Sequence, residues 1–231
     1  MRDHPNALMI FAAGFGTRMG EMTKHTPKPL IKVDGKPLID YALEIAATAQ
    51  VKNIVVNTHY KHAQMAAHLA PLGVQISHEE AAILETGGGL RLALPLLGPD
   101  PVFTMNSDAV WSGANPLTTL AAAWKPDIMD ALLLLLPREN AVGHKGKGDF
   151  ILGSDGRLTR GAGLVYSGAQ IIKTDRLRDI SSDAFSLNLL WDEMAQSKRL
   201  FGTVHNGGWC DVGHPGGIAD AQALLKDAEN V

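Results

Sequence analysis

The chain has 231 residues, of which 45% are hydrophobic, so it is long enough for one large domain or two small ones. Its net charge of −3 and its one cysteine argue against a nucleic-acid binder, an internal disulfide and a cysteine-based zinc site. The apolar run at 131–136 is far shorter than the roughly 20 residues of a membrane-spanning helix, and the N-terminal residues lack the apolar core of a signal peptide. We therefore expect a cytoplasmic protein, a monomer or small homo-oligomer, that binds neither membrane nor nucleic acid.

Short apolar runs that alternate with helical patterns fill the first part of the chain. Runs rich in Val, Ile, Leu, Phe or Met, without polar alternation, are typical of strands covered on both faces, and they lie at 8–13, 53–57, 102–105 and 131–136. Apolar residues at helical spacing predict helices over 37–47, 61–69, 88–97 and 117–124. Strand alternating with helix predicts a mostly parallel, doubly wound α/β sheet.

The pattern changes from about residue 143. Glycine-bounded apolar runs predict strands over 146–152 and 163–172, followed by a helix over 184–196, a strand over 200–204 and a closing helix over 215–228. No linker or repeat divides the chain. We expect one domain over 1–231, with strands added in its second half.

A glycine-rich loop, AAGFGTRMG, follows the first predicted strand. The dinucleotide fingerprint G-x-G-x-x-G fails because Met19 stands where the third glycine belongs, and no acidic residue ends the second strand. A P-loop fails because no Gly-Lys pair follows the glycines. A Rossmann dehydrogenase and a P-loop NTPase are therefore both disfavoured.

The loop still offers an anion site. Gly14 and Gly16 allow positive φ and close approach of a ligand, and successive backbone N–H groups then form an anion nest. Thr17 adds a hydroxyl and Arg18 a forked cation, while Lys28 is held between two prolines. Together these residues predict a polyphosphate site; the alternative is a surface turn whose cations are incidental.

Two aspartates complete the candidate site. Asp108 follows a buried strand, at the sheet edge where ligands of open α/β sheets bind, and Asp211 lies in the short apolar segment WCDVG. Mg²⁺ is bound by one or two carboxylates plus phosphate oxygens, so this pair predicts a Mg²⁺ site. Taken singly, each aspartate is more often a cap or turn residue than a metal ligand.

Two stretches, AAGFGTRM at 12–19 and TPKPLIKVDGKP at 26–37, resemble the signature of the sugar-1-phosphate nucleotidylyltransferases. The later motifs LETGGG, GDF, YSG and WCDVG are similar to those of the N-acetylmuramate-1-phosphate uridylyltransferases of peptidoglycan recycling. The resemblance implies a Rossmann-like three-layer α/β/α sandwich of the nucleotide-diphospho-sugar transferase type, and an enzyme that joins an NTP and a sugar 1-phosphate with Mg²⁺. Its nucleotide-binding half would span about 1–142 and its sugar-binding half about 143–231.

The resemblance also implies a role for each matching position. Arg18 and Lys28 would be catalytic, Asp108 and Asp211 would bind Mg²⁺, and Asp149, Ser167 and Gly168 would line the sugar pocket. The nucleotide would contact Ala13, Gly14, Phe15, Gly16, Thr17, Arg18, Lys28, Glu80, Gly88 and Asn106.

The sequence leaves other substrates and functions open. The glutamate-lysine-proline motif of larger relatives is missing after Leu158, which argues against a glucose-1-phosphate substrate. A mannose- or heptose-1-phosphate guanylyltransferase and a non-catalytic nucleotide-sugar sensor are the alternatives. Lys145 and Lys147 belong either to a solvated loop or to a contact with the acceptor.

Overall fold

The computed structural model describes residues 5–98 and 101–229. The strands are β1 Ala7–Phe11, β2 Lys32–Val33, β3 Lys36–Pro37, β4 Asn53–Thr58, β5 Gln75–His78, β6 Val102–Asn106, β7 Ala109–Trp111, β8 Ala131–Leu136, β9 Ala141–Val142, β10 Phe150–Leu152, β11 Leu158–Arg160, β12 Val165–Ile172, β13 Leu200–Val204 and β14 Trp209–Asp211. The α-helices are α1 Leu38–Thr48, α2 His62–Leu69, α3 Glu85–Leu97, α4 Pro116–Ala123, α5 Asn188–Gln196 and α6 Gly216–Glu229.

The main sheet has seven strands in the order β13-β8-β12-β6-β1-β4-β5. Its pairings are parallel except for β12, which runs antiparallel to both β6 and β8. The predicted α/β class with a mostly parallel sheet is confirmed. The added strands β12 and β13 join this same sheet.

Helices cover both faces of the sheet, which explains the uninterrupted apolar runs. In β1, Ala7 and Met9 pack on the face covered by α3 and α5, whereas Leu8 and Ile10 pack on the face covered by α1, α2 and α4. Residues 131–135 of β8 alternate in the same way, Leu136 packs in a separate small cluster, and all six are buried. The result is three layers, with a hydrophobic core on each side of the sheet.

A second, three-stranded sheet in the order β7-β14-β9 packs against α6. Strand β14 pairs antiparallel with β7, so that Asp211 lies opposite Ala109, and the backbone N–H of Val212 donates to the carbonyl of Asp108 at 2.8 Å. This sheet therefore carries Asp211 from the end of the chain to the carboxyl end of β6.

Several predicted boundaries were wrong. The strand expected over 146–152 starts only at Phe150, because Gly148 has φ +90° and lies against the backbone of Gly163. The helix expected over 184–196 starts at Asn188, since the carbonyl of Phe185 instead accepts from Gly87 at the start of α3. Helix α3 itself starts before the expected residue 88, at Glu85.

Within residues 5–98 and 101–229, no helix combines the length and the apolar character that crossing a bilayer requires.

Candidate active site

A cavity of about 340 Å³ opens at the carboxyl ends of β1, β4 and β6. It brings together most of the residues predicted to bind the nucleotide and adds others from three further segments. We call it the first cavity; its lining residues are Phe11, Ala12, Ala13, Gly14, Gly16, Thr17, Arg18, Lys28, Pro29, Asn57, Glu79, Ile83, Glu85, Thr86, Asn106, Ser107, Asp108 and Gly213.

The loop after β1 exposes backbone to this cavity. Met19 is buried in the core beside the second sheet and anchors the short 3₁₀ helix Thr17–Thr23, whose start is closed by the 2.9 Å bond from Met19 N–H to the Gly16 carbonyl. Among the described residues, no acceptor is found for the backbone N–H groups of Gly14 and Gly16. Positive φ, expected at both glycines, occurs only at Gly16, where it is +65°.

We predict that Gly16→Ala disrupts the loop. A Cβ at Gly16 would lie 2.8 Å from Lys28 Cβ and 3.0 Å from Thr23 Cγ2, and an alanine would also have to adopt the left-handed conformation. We expect a loss of about 1–3 kcal/mol in the free energy of unfolding and weaker nucleotide binding. Gly14→Ala is the matched control, because its Cβ would meet nothing within 4 Å. Equal unfolding midpoints for the two variants would contradict the assignment of strain to Gly16.

Lys28 is the most buried cation of the cavity, with 8% of its surface exposed. It starts the 3₁₀ turn Lys28–Leu30, and the flanking Pro27 and Pro29 restrict its backbone. Its Nζ lies 2.6 Å from Asp108 Oδ2 and 3.9 Å from Asp211 Oδ1. The structure thus brings both predicted metal ligands to one buried cation.

The two carboxylates are close enough to repel each other. Burial raises the pKa of Asp211, and the negative charge of Asp108 raises it further. The nearby cations of Lys28, Arg18 and His214 oppose this rise. Such a pair favours a divalent cation, and two carboxylates with phosphate oxygens suit Mg²⁺. No cluster of three or more acidic, histidine or cysteine ligands occurs among the described residues, so the remaining ligands would have to come from substrate and water.

Arg18 is exposed, and its guanidinium lies beside Gly213, just after the end of β14. A Cβ at Gly213 would lie 3.2 Å from Arg18 Nη1 and 3.0 Å from Asp211 Oδ2. The glycine therefore leaves room for the guanidinium and the carboxylate side by side. Ser107 was not predicted; its hydroxyl donates to the Phe11 carbonyl at 2.7 Å and ties the end of β6 to the loop.

A buried polar network supports the other wall of the cavity. Asn57 accepts from the Ala12 N–H at 2.7 Å and donates to Glu79 Oε1 at 2.6 Å, while Glu79 Oε2 accepts from the Leu84 N–H at 2.8 Å. Glu79 lines the cavity with 2% of its surface exposed. The neighbouring Glu80, expected to border the base, is exposed and lies outside the lining.

Two other predicted nucleotide contacts also lie outside the lining. Gly88 is buried in α3, and its backbone N–H donates to the Phe185 carbonyl at 3.2 Å. Phe15 is 48% exposed and packs edge-on against His59 and Tyr60 at 5.6 Å. Neither residue therefore lines the first cavity in this structure.

A second cavity of about 440 Å³ adjoins the first and shares Phe11, Thr86 and Asn106 with it. Asp149, predicted to contact the sugar, lines it. The remaining residues that line the second cavity are Phe150, Arg160, Tyr166, Gln170, Ser186, Leu187, Asn188 and Trp191.

In the predicted YSG motif only Tyr166 lines the second cavity, whereas Ser167 and Gly168 lie at an irregularity in β12 and line neither cavity. Ser167 is 1% exposed, and its hydroxyl donates to the Leu134 carbonyl at 2.7 Å. Gly168 has φ +84°, and a Cβ there would lie 2.6 Å from Asn106 Nδ2. Gly168 therefore leaves room for the Asn106 side chain, and Asp149 Oδ2 accepts from the Tyr166 N–H at 2.8 Å.

Lys145 lines a third cavity of about 250 Å³, which Arg18 and Asp211 also line. His144 and Trp209 line it as well, and His144 Nε2 and Trp209 Nε1 are buried without a hydrogen-bond partner among the described residues. Lys147 lines none of these three cavities.

Comparisons with known proteins agree with this arrangement. A family model described as the MobA-like NTP transferase domain matches residues 8–142. The N-acetylmuramate alpha-1-phosphate uridylyltransferase of Caulobacter vibrioides is 39% identical, over 99% of this chain and 100% of that protein. The protein of the same name from Neisseria meningitidis serogroup B is 36% identical, over 94% and 96%. A mannose-1-phosphate guanylyltransferase catalytic subunit beta of Drosophila pseudoobscura pseudoobscura is 26% identical, over 90% of this chain and 59% of that protein.

The fold is also found in solved structures. The inositol-1-phosphate CTP transferase from T. maritima superposes with a TM-score of 0.78 at 16% identity, covering 99% of this chain and 98% of that one. At that identity the likeness bears on the fold alone.

Proposed function

Because the chain belongs to the family of MobA-like NTP transferase domains, and is a sugar-1-phosphate nucleotidyltransferase by its relatives, we propose that it joins UTP and N-acetylmuramic acid 1-phosphate. The products are the UDP-sugar and pyrophosphate. The observation that carries the choice of substrates is the 39% identity over nearly the whole of both chains to a relative named for this reaction. Its place would be peptidoglycan recycling in the cytoplasm, where its small-molecule substrates would be supplied.

The reaction needs positioning and charge neutralisation more than proton transfer. An oxygen of the sugar phosphate forms a bond to the α-phosphorus of UTP, while the bond from that phosphorus to the bridging oxygen of the β-phosphate breaks. Pyrophosphate leaves with the bonding electron pair. The attacking oxygen is already anionic, so no general base is required, and catalysis rests on aligning two anions that repel each other.

Residues of the first cavity supply that alignment. The backbone N–H groups of Gly14 and Gly16, which have no acceptor among the described residues, would bind phosphate oxygens. Arg18 adds a forked donor set, and Lys28 a buried positive charge within 3.9 Å of both aspartates. As fixed charges they need no reorganisation as negative charge moves to the leaving group.

Asp108 and Asp211 would hold Mg²⁺ between the two substrates. When bound, the ion neutralises phosphate charge and orients the phosphates. The carboxylate pair fits this ion because it converges on a cation already, and because burial and mutual repulsion raise the pKa of Asp211.

The two cavities suggest which part of the chain binds each substrate. Residues 1–142 would bind the nucleotide in the first cavity, and the sugar would extend past Asn106 into the second cavity, formed largely by residues 143–231. The guanylyltransferase alternative is supported by the 26% identical mannose-1-phosphate enzyme. A non-catalytic sensor is disfavoured because it need not keep Arg18, Lys28 and both aspartates together.

A substrate panel tests the proposal. Pyrophosphate release would be measured with Mg²⁺ for UTP, CTP, GTP, ATP and dTTP, each with N-acetylmuramic acid, N-acetylglucosamine or mannose 1-phosphate. We expect the highest kcat/KM for UTP with the muramic acid sugar. A preference for GTP with mannose 1-phosphate would show that the proposed substrates are wrong but that the reaction type is right.

A further inference from the structure

We propose that the second cavity selects an acceptor sugar that carries a carboxylate, and that Arg160 binds this carboxylate. This inference rests on the proposed function, because N-acetylmuramic acid differs from N-acetylglucosamine by a lactyl ether that bears one carboxyl group. An enzyme that prefers the former needs a group that reads this charge. Arg160 was not predicted as a site residue.

Arg160 is the one basic side chain among the described residues that line the second cavity. The other charged group there is Asp149, whose carboxylate would repel an acidic sugar. Without a compensating cation, the second cavity would disfavour a carboxylate. Arg160 therefore decides whether this cavity accepts a sugar substituent that carries a carboxylate.

The guanidinium of Arg160 is held in place from several sides. It lies 4.8 Å from the centre of the Phe150 ring and 5.5 Å from that of Trp191. Its Nε donates to Asp192 Oδ1 at 3.2 Å, and its Nη2 donates to Asn188 Oδ1 at 2.7 Å. A fixed guanidinium gives up less conformational freedom when it binds a ligand.

The same contacts leave part of the guanidinium available. Its hydrogen bonds within residues 5–98 and 101–229 use Nε and Nη2, and Nη1 has no acceptor there. Its side chain is 44% exposed, so a ligand can reach it. Asp192 is 55% exposed and does not line the cavity, so it neutralises Arg160 only in part.

The position of Arg160 favours a substituent of the sugar ring over the 1-phosphate. The phosphate must meet the reacting α-phosphorus beside Lys28 and Asp108, in the first cavity, which Arg160 does not line. The two cavities meet at Phe11, Thr86 and Asn106. A sugar bound by its phosphate in the first cavity therefore presents its distal substituents to the second.

The variant Arg160→Gln tests whether Arg160 binds the carboxylate or the phosphate of the acceptor sugar. At saturating UTP, we expect kcat/KM for N-acetylmuramic acid 1-phosphate to fall by about 10–100-fold, chiefly through KM. The value for N-acetylglucosamine 1-phosphate, which has the phosphate but no carboxylate, should stay within about twofold. Dissociation constants of the two UDP-sugars, measured by calorimetry, give the same comparison without turnover. Arg160→Lys should recover only part of the loss, because it keeps the charge but not the fork.

Arg157→Gln is the matched control. Arg157 has the same 44% side-chain exposure, lies over the Phe201 ring at 5.3 Å and lines neither cavity, so its variant should keep the parent preference. An equal fall for both sugars in Arg160→Gln would overturn the proposal, since it would place the effect on the phosphate or on the fold. So would a loss of preference in Lys145→Gln with none in Arg160→Gln. If the parent protein fails to use the muramic acid sugar at all, the proposed function is what fails.

Discussion

Asp108→Asn or Asp211→Asn is expected to lower kcat/KM by on the order of 10³-fold or more, since each removes one of two carboxylates that would hold Mg²⁺ between two anionic substrates. Asparagine keeps the shape of the side chain, so the fold should persist. In Asp108→Asn, the loss of the negative charge also relieves the repulsion that raises the pKa of Asp211. Steady-state rates over a range of Mg²⁺ concentrations, with thermal unfolding of each variant, check this result.

Asp130→Asn is the control for this pair. Asp130 lies away from the cavities, 3.0 Å from Lys173 Nζ and 2.9 Å from Arg199 Nε, with 9% of its surface exposed. Its asparagine variant should lose stability but keep kcat/KM at a temperature where it is folded. Near-parent rates in either site variant would remove that aspartate from the metal site.

Lys28→Ala is expected to lower kcat/KM by about 10²–10³-fold, because it removes a buried fixed charge beside the reacting phosphates. It also leaves Asp108 without the partner 2.6 Å away, so some loss of stability should accompany it. Lys28→Met retains most of the aliphatic stem and separates the two effects. Rates and unfolding midpoints of both variants would be measured together.

Lys36→Ala tests whether any lost lysine ion pair has this effect. Lys36 Nζ also lies 2.6 Å from a carboxylate, that of Glu44, but the pair is more exposed and outside the cavities. We expect kcat/KM to stay within about twofold and stability to change by less than about 1 kcal/mol. An unchanged kcat/KM in Lys28→Met would refute the catalytic role of Lys28.

The layers of the fold are predictable from the sequence because a strand that is buried on both faces is an uninterrupted run of apolar residues. Strands β1 and β8 contain no polar residue, which is typical of short strands between two helical layers. The direction of a strand relative to its neighbours has no comparable pattern in the sequence. Strand β12 is buried along nearly its whole length, as β6 and β8 are, although it contains Ser167 and Gln170. Burial of this kind does not distinguish an antiparallel strand from a parallel one, so the direction of β12 follows from the connections of the chain.

The loop residues of the site are predictable because their chemistry is local. Glycines, Arg18 and Lys28 stand in short stretches whose backbone restrictions can be read directly. Glu79 was missed in favour of Glu80 because the two are neighbours just beyond β5, where adjacent side chains point to opposite sides. Only the pairing with Asn57, which is 22 residues distant in sequence, identifies the inward one.

Arg160 shows what no local pattern can reveal. It ends the short strand β11 in an exposed, polar sequence that is typical of a solvated ribbon. Its neighbours Asn188 and Trp191 come from α5, about thirty residues later. The residues that would read the acceptor sugar are thus assembled from segments that acquire a common role only in the folded chain.

Transfer of UMP from UTP to a sugar phosphate forms one UDP-sugar for each pyrophosphate, so the stoichiometry of the two products is the decisive measurement. Purified protein would be incubated with UTP, N-acetylmuramic acid 1-phosphate and Mg²⁺, and the UDP-sugar and pyrophosphate would be quantified in the same samples. We expect the two products in equal amounts and none when the sugar phosphate is omitted. Binding of UTP and sugar without formation of either product would contradict the proposed function and favour the sensor.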